Sequence, residues 1–195
     1  MDLLLIRHAR PVRVEADSGI ADPPLTEEGE EQARRLAALL SEEHLDAVYA
    51  SPLRRARQTA EPLARDGGHE VVIDNGLAEF DAEASSYIPM EELRKEPGMM
   101  SALVEGRWEE LGNMAEPEAF RAGVIETVEG IVAANPKRRV AVVCHGAVIN
   151  VYLGHVIGTP KLLWFEPAYA SISRVVASST GVRTVVSVNE TCYLR

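Results

Sequence analysis

Short apolar runs alternate along this chain with stretches in which apolar residues recur at helical spacing. Leu3 to Ile6 is a run with no polar face, the pattern of a strand covered on both sides. A Pro/Asp-rich loop follows at Asp22-Pro23-Pro24. Then "LTEEGEEQARRLAALL" sets Leu25, Ala33, Leu36, Leu39 and Leu40 one helical face apart, with Thr26 as the N-cap and Glu27 and Glu28 at the positive end of the helix. "LDAVYA" predicts a strand and "SPLRRARQTAEPLA" a helix, with Ser51 as its cap and Pro52 in its first position. "EVVID" is another strand. Gly76 to Met114 is acidic, irregular and methionine-containing, with one short helix around Met90 to Lys95; it has the character of an inserted lid. Phe120, Val124, Val128, Ile131 and Val132 mark the next helix. "RRVAVVCHGAVINVYLGHVIG" runs from an apolar strand ending at His145 into a helix opening at Gly146. "ISRVVA" and "RTVVSV", joined through Ser178 to Gly181, form a hairpin at the sheet edge. Strand and helix in alternation predict an α/β fold. We expect a three-layer α/β/α sandwich with a mostly parallel central sheet, antiparallel edge strands and a small inserted lid, one domain over residues 1–195 with the insertion at about 76–114.

The strand ends depart from this regular pattern. The first strand stops on Arg7-His8, the second on Ser51 with Arg54, Arg55 and Arg57 just beyond, and another on His145-Gly146. A buried cation is costly unless it is paired, and in open α/β sheets ligands collect beyond the carboxyl ends of the strands, where helix N-termini offer free N–H groups. Two histidines and several arginines at one sheet edge make an oxyanion pocket, with phosphate the natural occupant. His8 itself is expected at a strand end facing solvent.

Charge and cysteine content narrow the function further. Twenty Lys and Arg against thirty Asp and Glu give a net charge of −10, which argues against broad attraction to nucleic acid or an anionic membrane surface. An anion must therefore be held by a local basic pocket. The start has no basic stretch leading into an apolar signal core, and no apolar run approaches bilayer-spanning length; the expected location is the cytoplasm. Cys144 and Cys192 lie far apart with no C-x-x-C or zinc spacing, so free thiols are expected and no structural metal.

"LLLIRHAR", "LTEEGEEQARRLAALL", "YASPLRRARQTAE" and "VAVVCHGAVINVYL", in this order, resemble the histidine phosphatase superfamily, the phosphoglycerate-mutase-like fold. The resemblance implies that His8 is the nucleophile that becomes phosphohistidine, that Arg7, Arg55 and His145 hold the phosphate, and that Glu79 in "GLAEF" is the proton donor. Gly146 joins the substrate-binding set through its place at the helix start. The family pattern reads R-H-G with a Thr or Ser two residues later and an Asn three beyond that, where this chain has Ala9, Pro11 and Val14, so Arg10 or Arg13 is expected to supply the two missing polar phosphate contacts. The family's G-x-W-E-G is replaced by "DAEASSYIP", which leaves Asp81 and Glu83 as alternative donors. A mutase-type Glu-Arg-His-Tyr-Gly stretch is absent, which favours a phosphatase.

The expected activity is that of a metal-independent phosphomonoesterase acting on a small phosphorylated metabolite, with no cofactor. Its partners are that substrate or inorganic phosphate, and a homodimer stays open. Two alternatives are a mutase-like phosphoryl transferase and a non-catalytic phosphate-binding module. Arg54 and Arg57 are expected to face away from the pocket. His44, His69 and His155 are read as surface or packing residues, and Cys144 as a small buried strand residue. The group of Met90, Met99, Met100 and Met114 is read as gap-filling within the insertion.

Overall fold

The computed structural model describes residues 1–15, 19–89, 92, 95, 98, 101, 105 and 116–194. Strands β1 (Asp2–Arg7), β3 (Ala47–Ala50), β4 (Val71–Ile73), β6 (Arg139–Cys144), β7 (Ile172–Ala177) and β8 (Arg183–Glu190) form one sheet in the order β4-β3-β6-β1-β7-β8. The first four strands in that row pair in parallel, whereas β7 joins β1 and β8 joins β7 antiparallel. A separate two-stranded ribbon pairs β2 (Val14–Glu15) with β5 (Ser86–Tyr87).

Period-two alternation divides the central strands between two cores. Leu3, Leu5, Val140 and Val142 face α3 (Pro117–Ala134) and α4 (Gly146–Ile157). Leu4, Ile6, Ala141 and Val143 face α1 (Glu27–Leu40) and α2 (Arg54–Gly67). Fully burying a Val or Leu side chain contributes roughly 1.5–3 kcal/mol, so β1 and β6, buried on both faces, anchor the sandwich. The chain leaves β1 through α1 toward β3 on one face and leaves β6 through α4 toward β7 on the other. The adjacent carboxyl ends of β1 and β6 are thus the switch point where an α/β sheet opens a crevice. Among the described residues, no helix is long and apolar enough to cross a membrane.

The helix expected to start at Ser51-Pro52 begins later. Leu53 is its N-cap, without a side-chain cap, and the Arg54 N–H donates instead to the Asp22 carboxylate at 2.7 Å. Ser51 is fully buried and its hydroxyl is engaged with His145, so Asp22 takes over the capping. Of the short helix expected around Met90 to Lys95 only Glu92 and Lys95 are described, and Met90, Met99, Met100 and Met114 lie outside the described residues. The regular elements described between β4 and α3 are a 3-10 turn at Asn75–Leu77 and the β5 strand.

Thr26 caps α1 as expected, accepting from the Gly29 N–H at 3.0 Å. It also ties the helix to the loop after His8, because the Thr26 N–H and hydroxyl both donate to the Arg10 carbonyl. Gly29 lies so close to this loop that a Cβ there would sit 2.1 Å from the same oxygen. Gly29→Ala is therefore expected to cost about 1–3 kcal/mol of stability, the range for forced overpacking, as measured by chemical denaturation. An unchanged denaturation midpoint would mean that the loop after His8 is not clamped to α1.

Candidate active site

Sheet register builds the site. Arg7 pairs with Cys144 across β1 and β6, and Ala50 pairs with Val143 across β3 and β6. One residue further on, His8 lies beside His145 and Ser51 beside Cys144 at three adjacent strand ends, and the Ser51 hydroxyl reaches the His145 ring. The His8 N–H donates to the Cys144 carbonyl at 2.9 Å and the Ser51 N–H to the Val143 carbonyl at 3.0 Å, which extends the ladder to these residues. The two imidazole centroids are 5.1 Å apart. Arg55 enters from the first turn of α2.

These groups are buried. Arg7 is 6% exposed, His8 2%, Arg55 2% and His145 fully buried. His8 does not face solvent as its strand-end position suggested, because the rings of Tyr87 and Tyr169 lie beside it, with centroids 6.4 and 5.7 Å from its own. Burial of unpaired cations is expensive, and little of that cost is met inside the protein. Arg7 donates through Nη1 to the Pro167 carbonyl, and Arg55 Nη2 is 3.9 Å from the Asp81 carboxylate. Arg7 Nε, Arg55 Nε and His145 Nδ1 are buried with no hydrogen-bond partner among the described residues. Three unpartnered nitrogens around one imidazole are a donor set suited to an oxyanion.

Protonation follows from this surplus of positive charge. Burial first, and then Arg55 and Arg7, hold His8 well below the usual histidine value. A carbonyl can only accept, so the 2.8 Å contact to the Ala9 carbonyl places the ring proton of His8 on Nδ1. Nε2 is left with a free lone pair. His145 is likewise held neutral by burial, Arg55, His8 and Arg7. Its Nε2 lies 2.7 Å from the Ser51 hydroxyl, whose oxygen already accepts from the Leu53 N–H at 3.3 Å. With the serine proton directed to Nε2, the ring proton of His145 sits on the unpartnered Nδ1, ready to donate.

Glu79 lies in the turn after the 3-10 segment, with one oxygen accepting from the Ala147 N–H at 3.1 Å, in the first turn of α4, and the other from the Phe80 N–H at 3.1 Å. Burial and the neighbouring Asp81 charge outweigh these bonds and raise its pKa to about 7. Burial also raises Asp81, against the pull of Arg55. Glu83 is exposed.

Arg10 and Arg13 are not brought into this cluster. Arg10 pairs with Glu28 at 2.5 Å, while Arg13 pairs with Glu15 and, at 2.5 Å, with Glu92; both guanidinium side chains are exposed. Glu15 is local to Arg13, but Glu28 and Glu92 lie on other segments, so those two pairings do not show in the sequence around His8. Arg54 and Arg57 face solvent and Cys144 is fully buried, as read from the sequence. Gly146 stands at the start of α4, where an added Cβ would meet nothing within 4 Å. Sequence reasoning missed Ser51 as a partner of His145, and it missed both tyrosines. Among the described residues, no group of three or more His, Cys, Asp or Glu is placed to hold a metal ion.

Comparison with known proteins agrees with this fold and gives its family. The family model for the histidine phosphatase superfamily (branch 1) matches residues 3–191. Phosphoserine phosphatase 1 of Hydrogenobacter thermophilus is 32% identical, over 98% of this chain and 93% of its own length. A protein named "Probable phosphoglycerate mutase GpmB" from Erwinia tasmaniensis is 27% identical, over 82% of this chain and 76% of its own. The crystal structure of phosphoserine phosphatase from Entamoeba histolytica, in complex with 3-phosphoglyceric acid, superimposes with a TM-score of 0.77 at 22% identity, covering 100% of this chain and 99% of that one.

An oxyanion that pairs these buried cations stabilises the folded state. Inorganic phosphate at tenfold its Kd is expected to add about 1.4 kcal/mol, raising the thermal midpoint by roughly 3–5 °C for a chain of this size. In Arg55→Ala the rise is lost. A midpoint unmoved by phosphate in the unsubstituted protein contradicts an oxyanion site here.

Proposed function

Because the chain belongs to branch 1 of the histidine phosphatase superfamily, we propose that it hydrolyses the phosphate monoester of a small metabolite, with His8 as nucleophile and Glu79 as proton donor. The observation that carries this reading is a pair of titrating groups pushed in opposite directions within one pocket. His8 is held neutral and Glu79 is held protonated to about pH 7, the pattern that assigns base and acid roles. Arg7 and Arg55 neutralise the incoming dianion and, with the Nδ1–H of neutral His145, orient it, which is most of what phosphoryl transfer requires of a protein. His8 Nε2 then attacks phosphorus in line. The P–O ester bond breaks as the Glu79 proton passes to the leaving oxygen. Water next attacks the phosphorus of phosphohistidine, Glu79 takes up the water's proton, and the P–N bond breaks to release inorganic phosphate and neutral His8. The catalytic domain spans residues 1–195 in this reading, with 76–114 as its lid, and acts in the cytoplasm. The activity named for the Hydrogenobacter relative makes phosphoserine the first substrate to assay.

His8→Ala is expected to abolish hydrolysis of p-nitrophenyl phosphate while keeping the stabilisation by phosphate, as followed by release of p-nitrophenolate and by thermal unfolding. Rapid quench of the unsubstituted enzyme with radiolabelled substrate should trap an acid-labile phosphoryl group on the protein. Substantial activity in His8→Ala removes His8 from the nucleophile role.

The pH profile carries its own sign. Attack needs neutral His8, so the acid limb of kcat/KM falls only well below pH 6.5. Leaving-group protonation needs protonated Glu79, so the rate for alkyl phosphates falls as pH rises through about 7. Glu79→Gln should slow alkyl phosphates far more than p-nitrophenyl phosphate, whose leaving group departs unprotonated. Asp81→Asn removes the charge that helps to raise Glu79, and so should move the alkaline limb to lower pH. If Glu79→Gln slows both substrates equally, Glu79 is not the leaving-group acid; if the selective loss appears in Asp81→Asn, Asp81 is.

A further inference from the structure

The nucleophile is 2% exposed, yet the proposed reaction needs a phosphorus atom in line with its Nε2. The covering groups are two tyrosines. Tyr169 lies over the Arg7 guanidinium, 4.1 Å from Cζ to ring centre, and Tyr87 over that of Arg55 at 4.6 Å. Both rings flank His8, and their hydroxyls approach to 3.5 Å across the site. The residues are 82 positions apart and come from differently built supports.

Tyr169 is fixed. The next residue, Ala170, holds a left-handed backbone at φ 56°, a conformation unfavourable for alanine that persists only where its surroundings enforce it. The Ala170 N–H donates to the His8 carbonyl at 3.2 Å, and the Ala170 carbonyl accepts from the Tyr193 hydroxyl. The Asn189 side chain holds the Ala168 N–H at 2.7 Å. Tyr87, by contrast, belongs to a ribbon of two residue pairs, Val14 with Tyr87 and Glu15 with Ser86, outside the main sheet. Segments with so few backbone contacts open at low free-energy cost.

We propose that Tyr87 and Tyr169 form a gate over the phosphoryl pocket, in which Tyr87 swings outward with β5 while Tyr169 stays, and that the gap between their rings and hydroxyls selects phosphate esters of small polar alcohols. The proposal rests on the phosphatase reading for its substrate class, but the gate is measurable without turnover. Stopped-flow association of inorganic phosphate reads the opening. A gate open for about 10% of the time slows entry about tenfold relative to an open pocket, so Tyr87→Ala, or Tyr87→Leu if truncation unfolds the ribbon, is expected to raise the association rate by about that factor. In the same variants the ratio of kcat/KM for 1-naphthyl phosphate to that for ethyl phosphate should rise, as bulky alcohols gain room. A substitution that merely loosens the fold would lower both rates together and leave the ratio unchanged. Faster phosphate entry without hydrolysis of either ester in the unsubstituted protein overturns the phosphatase reading and leaves the gate standing. An association rate unchanged in Tyr87→Ala and Tyr87→Leu overturns the gate, and a size ratio unchanged alongside faster entry overturns its role in selection.

Discussion

Parallel pairing of β1 with β6 is the constraint on which the rest of the molecule depends. Both strands are apolar on both faces and are covered by helices on both sides, so their register is fixed by the two cores rather than by the site. That register carries Arg7 beside Cys144 and His8 beside His145. A slip of one residue would turn every core side chain to the wrong face and separate the two imidazoles. Alignment of the two imidazoles is thus enforced by apolar burial along the strands that carry them.

Electrostatics then follow from enclosure. Burial first, and then two guanidiniums with unpartnered buried nitrogens, keep both imidazoles neutral, because a third or fourth positive charge in the same enclosed volume is unfavourable. The pKa of Glu79 is pushed up to about 7 by burial and by Asp81, although two backbone N–H groups favour its carboxylate. The same burial that is unfavourable for the empty pocket strengthens each interaction with a phosphate dianion, since charges act more strongly where water is excluded. Asp81, near Arg55, offsets only part of the positive charge and leaves the remainder for substrate.

Much of this was legible in the sequence, and the limits are instructive. Strand and helix order, the two-sided burial of Leu3 to Ile6, the Thr26 cap and the ending of strands on His8 and His145 are local or periodic signals, and the fold follows them. Ser51 misled because a serine before a proline reads as a helix cap; only the adjacency of the β3 and β6 strand ends in the fold lets its hydroxyl meet His145. Arg10 and Arg13 misled in the opposite way, since proximity to His8 in the chain suggested phosphate contacts while Glu28, Glu15 and Glu92 hold them outward. The pairing of Tyr87 with Tyr169 has no local signature at all. It is a long-range contact between a two-residue strand and a loop whose left-handed alanine no propensity would anticipate.

The central claim is that His8 is a neutral imidazole kept so by burial and by two guanidiniums whose charge an oxyanion would neutralise. Nitrogen NMR of the labelled imidazoles, followed against pH with and without inorganic phosphate, measures this directly. The account predicts that without phosphate His8 stays neutral through pH 6.5, with its proton on Nδ1, and that bound phosphate shifts its titration upward. A His8 that titrates near 6.5 and is indifferent to phosphate would contradict it.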